Sequence, residues 1–491
     1  MSMKKMNSIF LATVFLIGIF LPIVFADKKG GGISPTENRT LAKFPEIFST
    51  QNIRDDVENW INDNVGFREQ LLNTNAFLNY RLFHTSPTDR VMVGKNDWFF
   101  YTWDHNIDIA KGTYPLTQEM LEKIKSTQER IQRALKQKGI EYVLVLTPSK
   151  ASVYPEMIGG CNFSVRQTPI DIVTDYLKKN TTINVVNTKP ALIDAKDNQT
   201  VFFQTDTHWN EEGAFIGYKT MMQHLYQNGL IDVPPIEIEQ IPSVYKGEFS
   251  SMMGNRNLLP PEEINATKII NPKAIEVQNE DLLNEICNEQ TGHNFFSTGC
   301  HFYENTSCAN KKILMYGDSY FGGWKVQQLV AENCSHLDFI WSDYIKDNIV
   351  KKTKPDILIF ERTERYINTL AQDCDPRLLT QPLENPNAEL HSDYDEIHKN
   401  QNTSIKITMK NLSNSSMSED GWVRLCIFPD GKEAGYRVNI PDNLEIKPSE
   451  TYTFTIDNID QYVGDNNYLE FQMVEEGITY FGQRIRIDLK E

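Results

Sequence analysis

The stretch KKILMYGDSYFGGW, Lys311 to Trp324, stops a hydrophobic run at Gly317-Asp318-Ser319 and follows it with Gly322 and Gly323. A serine left at the lip of a strand is either part of a plain strand-to-helix turn or a nucleophile. Its hydroxyl attacks only when a base takes its proton and a further group orients that base. The chain has 9 histidines, and one stands in FFQTDTHWNEEGAF as Asp206-Thr207-His208-Trp209. In an extended segment residues i and i+2 point the same way. Asp206 and His208 can therefore face one cleft, with the carboxylate fixing the imidazole tautomer. The chemistry so assembled is acyl transfer: Ser319 as nucleophile, His208 as general base and later acid, Asp206 as orienter. Backbone N–H groups at the Ser319 turn and the following helix N-terminus are expected to serve the oxyanion, with the glycines easing close approach. The Asp-x-His pair could instead supply two metal ligands, but no third clustered ligand stands out, and neither metal nor cofactor is expected.

These residues need a scaffold. TQEMLEKIKSTQERIQRALKQKG is an amphipathic helix ended by Gly139, and IEYVLVLTP follows as an apolar strand of the kind buried on both faces of a parallel sheet. Residues 168–179 read as helix, INVVN as strand, EEGAFIGYKTMMQHLYQNG as helix, KKILMYGDS as strand, GGWKVQQLVAENC as helix, and PDILIFERTERYI as a strand running into a helix. That alternation predicts an α/β domain with a mostly parallel sheet. Both DTHW and GDS then sit at carboxyl ends of strands, where ligand crevices open. Before this unit, residues 46–86 read as helical, and DRVMVGKNDWFFY as two short strands about a turn. Residues 237–310 form an irregular, Asn- and Cys-bearing insertion. From about residue 385 short alternating strands between Gly, Pro, Asn and Asp turns predict an all-β sandwich. The expected organisation is thus 1–26 signal peptide or anchor, 27–45 linker, 46–384 α/β domain, and 385–491 β-sandwich.

At 491 residues the chain is too long for one ordinary core, and 40% hydrophobic content is that of a folded protein. The net charge of −17 argues against nucleic acid or an anionic membrane surface as main partner. Lys4 and Lys5 precede the uncharged run Met6 to Ala26, with Val24-Phe25-Ala26 as a cleavage site. This is an export signal or a retained membrane anchor, placing the body outside the cytoplasm. In an oxidising compartment some of the 7 cysteines are expected to pair. Cys287, Cys300 and Cys308, with His293 and His301 among them, lack a CxxC spacing and predict a disulfide-stapled loop rather than zinc. Asn180, Asn198 and Asn402 open Asn-x-Ser/Thr triplets, which act as glycan sites only where the machinery exists.

The combination of DTHWN with a later YGDSY resembles the AlgJ/AlgX group of SGNH-like proteins, alginate and exopolysaccharide O-acetyltransferases, together with the related DHHW proteins. ENRTLAKFPE, INDNVGFREQLLNTNAFLNYRL, VMVGKNDWFFY, VLVLTPSKASVYPE and KPDILIFERTERYI extend the likeness over roughly residues 35 to 370. The resemblance implies an SGNH-hydrolase-like fold in which the GDS follows the Asp-x-His, the reverse of the order in ordinary SGNH hydrolases. It implies the roles of Ser319, His208 and Asp206 given above. It also implies transfer of acetyl groups onto a polysaccharide acceptor through an acyl-serine, beside a membrane-bound O-acyltransferase that supplies acetyl. A carbohydrate acetylesterase, or a catalytically idle polysaccharide-binding or scaffold protein, are the alternatives. Lys150, Tyr154 and Tyr320 are candidates for lining the cleft. Trp209 either stacks on a sugar face or packs beneath the site. The insertion is this chain's own departure, and the sandwich resembles immunoglobulin-like or carbohydrate-binding modules, with a spacer or docking role equally open.

Overall fold

A computed structural model describes residues 3–34, 40–45, 52–159, 167–288, 299–308, 311–372, 374–379, 383–401, 404–419, 421–441, 444–476 and 478–490. Among the described residues, eleven strands precede residue 370: β1 Val91–Val93, β2 Phe99–Tyr101, β3 Glu141–Thr147, β4 Asn184–Asn187, β5 Ile238–Tyr245, β6 Glu262–Ile269, β7 Ile275–Val277, β8 His301–Glu304, β9 Lys312–Gly317, β10 His336–Trp341 and β11 Ile357–Thr363. Seven form the central sheet in the order β4-β3-β11-β9-β10-β8-β7. The first five in that order run parallel, and β8 and β7 add an antiparallel edge.

The apolar strands divide their side chains by period two between two cores. Val143, Val145, Met315 and Ile359 face one side with Tyr218, Met221 and Leu225 of the helix Glu211–Gln227. Tyr142, Leu144, Leu146, Leu314 and Leu358 face the other, against Leu121, Ile124, Ile131 and Leu135 of the helix Gln118–Gln137. That helix starts where the Thr117 side chain accepts the Met120 N–H, and it ends before Gly139 at φ +76°. The result is a helix–sheet–helix sandwich whose carboxyl edge is shared by the ends of β9, β10 and β11.

The stretch read as helical over 46–86 is helical where described, as Ile53–Asn64 and Arg68–Phe83, broken where Phe67 takes a left-handed φ of 59°. Two other expectations from the sequence are corrected. The helix after Ser319 is likewise broken, into Ser319–Gly322 and Val326–Ala331, with Trp324 and Lys325 both at positive φ. Gly322 explains the break, because a Cβ there would lie 2.5 Å from the Trp341 ring, so the turn packs flat against that indole. The 237–310 insertion is not irregular. It supplies the antiparallel hairpin β5–β6 and the edge strands β7 and β8.

The disulfide-stapled loop is also corrected for the described residues. Among the described residues, Cys287, Cys308, Cys334 and Cys426 are free thiols. Cys334 and Cys374 are buried in apolar clusters and act there as small hydrophobes, whereas the Cys426 sulfur accepts a hydrogen bond from Arg437 Nη1. Cys161, His293 and Asn402 lie outside the described residues. At the N-terminus Met3–Val24 is helical. Among the described residues, none of the helices is long and apolar enough to cross a membrane.

Beyond residue 383 the chain is dominated by strands. Ala388–Ser392, Ile405–Asn411 and Thr451–Ile456 make one antiparallel sheet, and five strands centred on Tyr468–Glu475 make a mixed sheet, antiparallel except where Glu396–His398 pairs parallel with Thr479–Lys490. Ile405, Ile407 and Met409 alternate with the exposed Lys406 and Lys410. Their buried side chains share one core with Leu425, Ile427 and Phe471 of the second sheet.

Candidate active site

Ser319 stands directly after β9, between the ends of β10 and β11. The neighbouring strand fixes the turn that carries it. Glu361 on β11 accepts the Asp318 N–H through Oε2 (3.0 Å) and the Thr147 hydroxyl through Oε1 (2.6 Å). Asp318 in turn accepts the Thr363 N–H and hydroxyl on Oδ2 (3.2 and 2.7 Å) and the Tyr320 N–H on Oδ1 (2.9 Å). Burial, and after it the charge of Asp318, raises the Glu361 carboxyl well above its ordinary range. Two of the turn's N–H groups, those of Asp318 and Tyr320, are thus committed to carboxylate oxygens. That narrows the oxyanion donors expected here.

Asp206 and His208 do not lie at the end of a strand, contrary to the sequence expectation. Residues 202–209 form a loop pinched by a single bridge between Phe202 and Trp209. Its backbone accepts the Phe99 N–H of β2 on the Gln204 carbonyl and the Phe249 N–H on the Thr205 carbonyl, and side chains hold the rest. Glu262 on β6 accepts the Gln204 and Thr205 N–H groups, each at 2.7 Å. The Lys150 ammonium donates to the carbonyls of Phe99, Gln204 (2.9 Å) and Asp206 (3.0 Å). The loop then enters the helix Glu211–Gln227 through Asn210, whose side chain accepts the Gly213 N–H.

This brings the three sequence-selected residues into one hydrogen-bonded line. His208 Nε2 lies 2.8 Å from Ser319 Oγ, and His208 Nδ1 lies 2.7 Å from Asp206 Oδ1. The Asp206 carboxylate also accepts the His208 N–H, and on Oδ2 the Tyr245 hydroxyl (2.8 Å) and the Glu248 N–H (3.1 Å). Burial raises its pKa, but the His208 contacts and the Tyr245 hydrogen bond outweigh that and leave it below the usual carboxylate range. Asp206 is thus a fixed negative charge beside the imidazole. Asp206, His208 and Glu248 are close enough for a metal, and Glu248 is the third ligand the sequence did not reveal. The donor set is already committed, however: both imidazole nitrogens are engaged, and Glu248 Oε1 accepts the Thr207 N–H. The arrangement fits proton transfer from a serine better than metal ligation.

The other sequence-selected residues lie behind this line. Trp209 is fully buried, its Nε1 donating to the Tyr320 carbonyl, so it packs beneath the site. Tyr320 is buried with its ring 5.2 Å from that of His208 and its hydroxyl on the Thr207 carbonyl. Tyr154 is buried against Trp98 and holds the Val201 N–H through its hydroxyl. Lys150 is buried as well, and burial pulls its ammonium down to about 7 against the raising charges of Glu262, Asp206 and Glu248. Sequence reasoning missed Tyr245, Glu248 and Glu262, all in the insertion, and Glu361, Thr363, Arg362 and Arg365. The sole signal for the last four was the charged FERTER run ending a strand that is otherwise apolar.

Ser319 opens on a cavity of about 390 Å³ at the carboxyl edge, lined also by Asp318, Trp341, Asp343, Arg362, Arg365 and Tyr366. A larger cleft of about 1140 Å³ lies along the β5–β6 hairpin near Asn210, Glu212 and Glu262.

Residues 91–290 match the family described as SGNH hydrolase-like domain, acetyltransferase AlgX, a span that includes Asp206 and His208 and ends before Ser319. A probable alginate O-acetylase AlgJ of Pseudomonas aeruginosa is 32% identical over 165 residues, which is 32% of this chain and 39% of that protein. A probable alginate O-acetylase AlgJ of Pseudomonas fluorescens is 23% identical over 336 residues, 62% of this chain and 76% of its own length. Among solved structures, the O-acetyltransferase domain of Pseudomonas putida AlgJ aligns with TM-score 0.39 and 16% identity, covering 58% of this chain and 93% of that one. Residues 91–290 are thus similar to the SGNH-like AlgX acetyltransferase domain, and longer stretches of the chain to AlgJ proteins, in line with the resemblance carried by its paired motifs.

Proposed function

We propose that this chain is an exported O-acetyltransferase that moves acetyl groups onto hydroxyls of a cell-surface or secreted polysaccharide. The observation that carries the reading is the Ser319–His208–Asp206 hydrogen-bond line, 2.8 and 2.7 Å long, opening on a cavity. The family matches support acetyl transfer as the chemistry.

In the first half-reaction His208 Nε2 takes the Ser319 proton as Oγ attacks the donor's acetyl carbonyl. The imidazolium then returns that proton to the departing donor oxygen, leaving acetyl-Ser319. In the second, His208 takes the proton of a sugar hydroxyl, whose oxygen attacks the acetyl carbon and releases Ser319. Asp206 stays ionised and holds Nδ1–H. An acetylesterase differs only in using water as acceptor. The N-terminal segment, residues 6–26, is the export signal or anchor, and a membrane-bound O-acyltransferase is the donor's source. Residues 46–384 form the catalytic unit, with residues 385–491 as an immunoglobulin-like or carbohydrate-binding sandwich.

The test is release of 4-nitrophenol from 4-nitrophenyl acetate by the full chain, followed by mass spectrometry of added oligosaccharide. Acetylated sugar is the expected product. Free acetate alone makes the protein an esterase, and unaltered turnover in Ser319→Ala ends the reading.

A further inference from the structure

The carboxyl end of β10 brings an indole to the Ser319 turn and leaves it little room to move. Trp341 is the last residue of β10, where it pairs in parallel register with Gly317 of β9, two residues before Ser319. On the other side of β10, β8 runs antiparallel with His301 opposite Phe339, which sets Gly299 next to Trp341. A Cβ on Gly299 would overlap the ring carbon Cε3, and a Cβ on Gly322 would lie 2.5 Å from that same carbon. Both glycines thus let backbone lie directly against the ring. In so close a packing the ring turns only if the start of β8 or the Ser319 turn moves with it.

The gripped ring is also a wall of the cavity at Ser319, whose other sides are mostly polar. Tyr366 is the second aromatic residue there, and its hydroxyl donates to Asp104 at 2.9 Å. An acyl tail is the apolar part of what reaches Ser319, whereas a sugar presents hydroxyls. The indole therefore suits the tail, and the polar sides suit the sugar. At about 390 Å³ the cavity is the size of one small-ligand site, and it has to seat the acyl group together with its donor or acceptor. A longer acyl chain takes that space from its co-substrate unless a wall yields, and the wall made by Trp341 is the one held by two backbones.

We propose that Trp341 is the residue that sets acyl-chain length: held by Gly299 and Gly322, its ring confines the site to short acyl groups, acetyl above all. This rests on Ser319 being the acylated residue. It adds no step to the reaction, since the bond between Ser319 Oγ and the acyl carbon forms and breaks as described above. It separates Trp341 from a tryptophan that only packs. A packing residue affects every ester alike, whereas a wall against the tail discriminates by length.

The test is steady-state cleavage of 4-nitrophenyl acetate, butyrate and hexanoate by the full chain. These esters share a leaving group and differ in acyl length alone. From acetate to butyrate kcat/KM is expected to fall about 10-fold or more, and to fall again for hexanoate. In Trp341→Ala the fall is expected to vanish, with butyrate cleaved faster than by the parent protein. In Trp341→Phe, which keeps a smaller ring, it is expected to shrink in part. Should Trp341→Ala not fold, the acetate-to-butyrate ratio in Trp341→Phe decides alone. Equal use of the three esters by the parent protein overturns the proposal without any variant. So does a set of variants that lose rate on all three esters by one common factor. The acetyltransferase reading is judged separately, by whether cleavage of the acetate depends on Ser319, so a flat length series leaves that reading intact.

Discussion

His208 Nε2 and Ser319 Oγ, from segments more than a hundred residues apart, meet at 2.8 Å, and the opposite ring nitrogen meets Asp206 at 2.7 Å. Removing either end of the Nε2–Oγ contact leaves a hydroxyl without a base or a base without a nucleophile. Ser319→Ala and His208→Ala are expected to lower kcat for 4-nitrophenyl acetate by at least about 1000-fold, and Asp206→Asn by a similar factor. The double variant lacking Ser319 and His208 should be no worse than either single one. Additive losses in a steady-state assay would separate the two residues into independent roles.

Tyr245 contributes its hydroxyl to Asp206 Oδ2 at 2.8 Å, next to the Glu248 N–H on the same oxygen. Tyr245→Phe deletes one of these two donors and keeps the ring packed between Phe203 and Trp324. We expect kcat to fall roughly tenfold with little change in KM or in the melting temperature. An unchanged kcat would show that Glu248 alone suffices to hold the carboxylate.

Lys150 is a positioning residue with a measurable pH signature. Lys150→Met leaves the carbonyls of Phe99, Gln204 and Asp206 without their donor and is expected to cost about 3 kcal/mol or more in urea unfolding. Its folded value of about 7 lies below the ordinary 10.5. Between those values the unfolded chain holds a proton that the native state has released, so this group makes stability rise with pH across the window and flat outside it. The wild type should therefore gain on Lys150→Met between about pH 7 and about pH 10. A constant gap between their urea midpoints refutes the assignment.

Gly322 lies against the Trp341 ring, where a Cβ would stand 2.5 Å from one ring carbon and 2.7 Å from the next. Gly322→Ala must push the indole or the Ser319 turn aside, and a destabilisation of about 1–3 kcal/mol is expected. Because the turn carries Ser319, the proposed nucleophile, kcat should drop with it. A variant that melts like the wild type would mean that Trp341 swings away freely.

The residue types of the site were legible in the sequence because its chemistry needs few of them. A serine after an apolar strand and a histidine two residues from a carboxylate are local patterns. The parallel core was legible for the same reason: β3, β9 and β11 are near-continuous apolar runs that suit strands covered on both faces. The supports were not legible. Tyr245, Glu248 and Glu262 sit in a segment that reads as irregular, since β5 and β6 mix Pro, Ser, Asn and charged residues, β5 is largely exposed and β6 buries only two residues.

Sequence alone picked out side chains whose chemistry suits the proposed reaction and a sheet of alternating α/β units to carry them, because periodicity and residue type are properties of short segments. Tertiary structure decided that Asp206 and His208 stand on a loop rather than a strand, since what fixes that loop is Lys150 and Glu262, brought in from elsewhere in the chain. It also decided that Arg362 and Arg365, beside the serine, end with buried donors that have no hydrogen-bond partner. Whether a buried charge finds a partner depends on which strands become neighbours, and neighbourhood across a sheet is not written in any one segment.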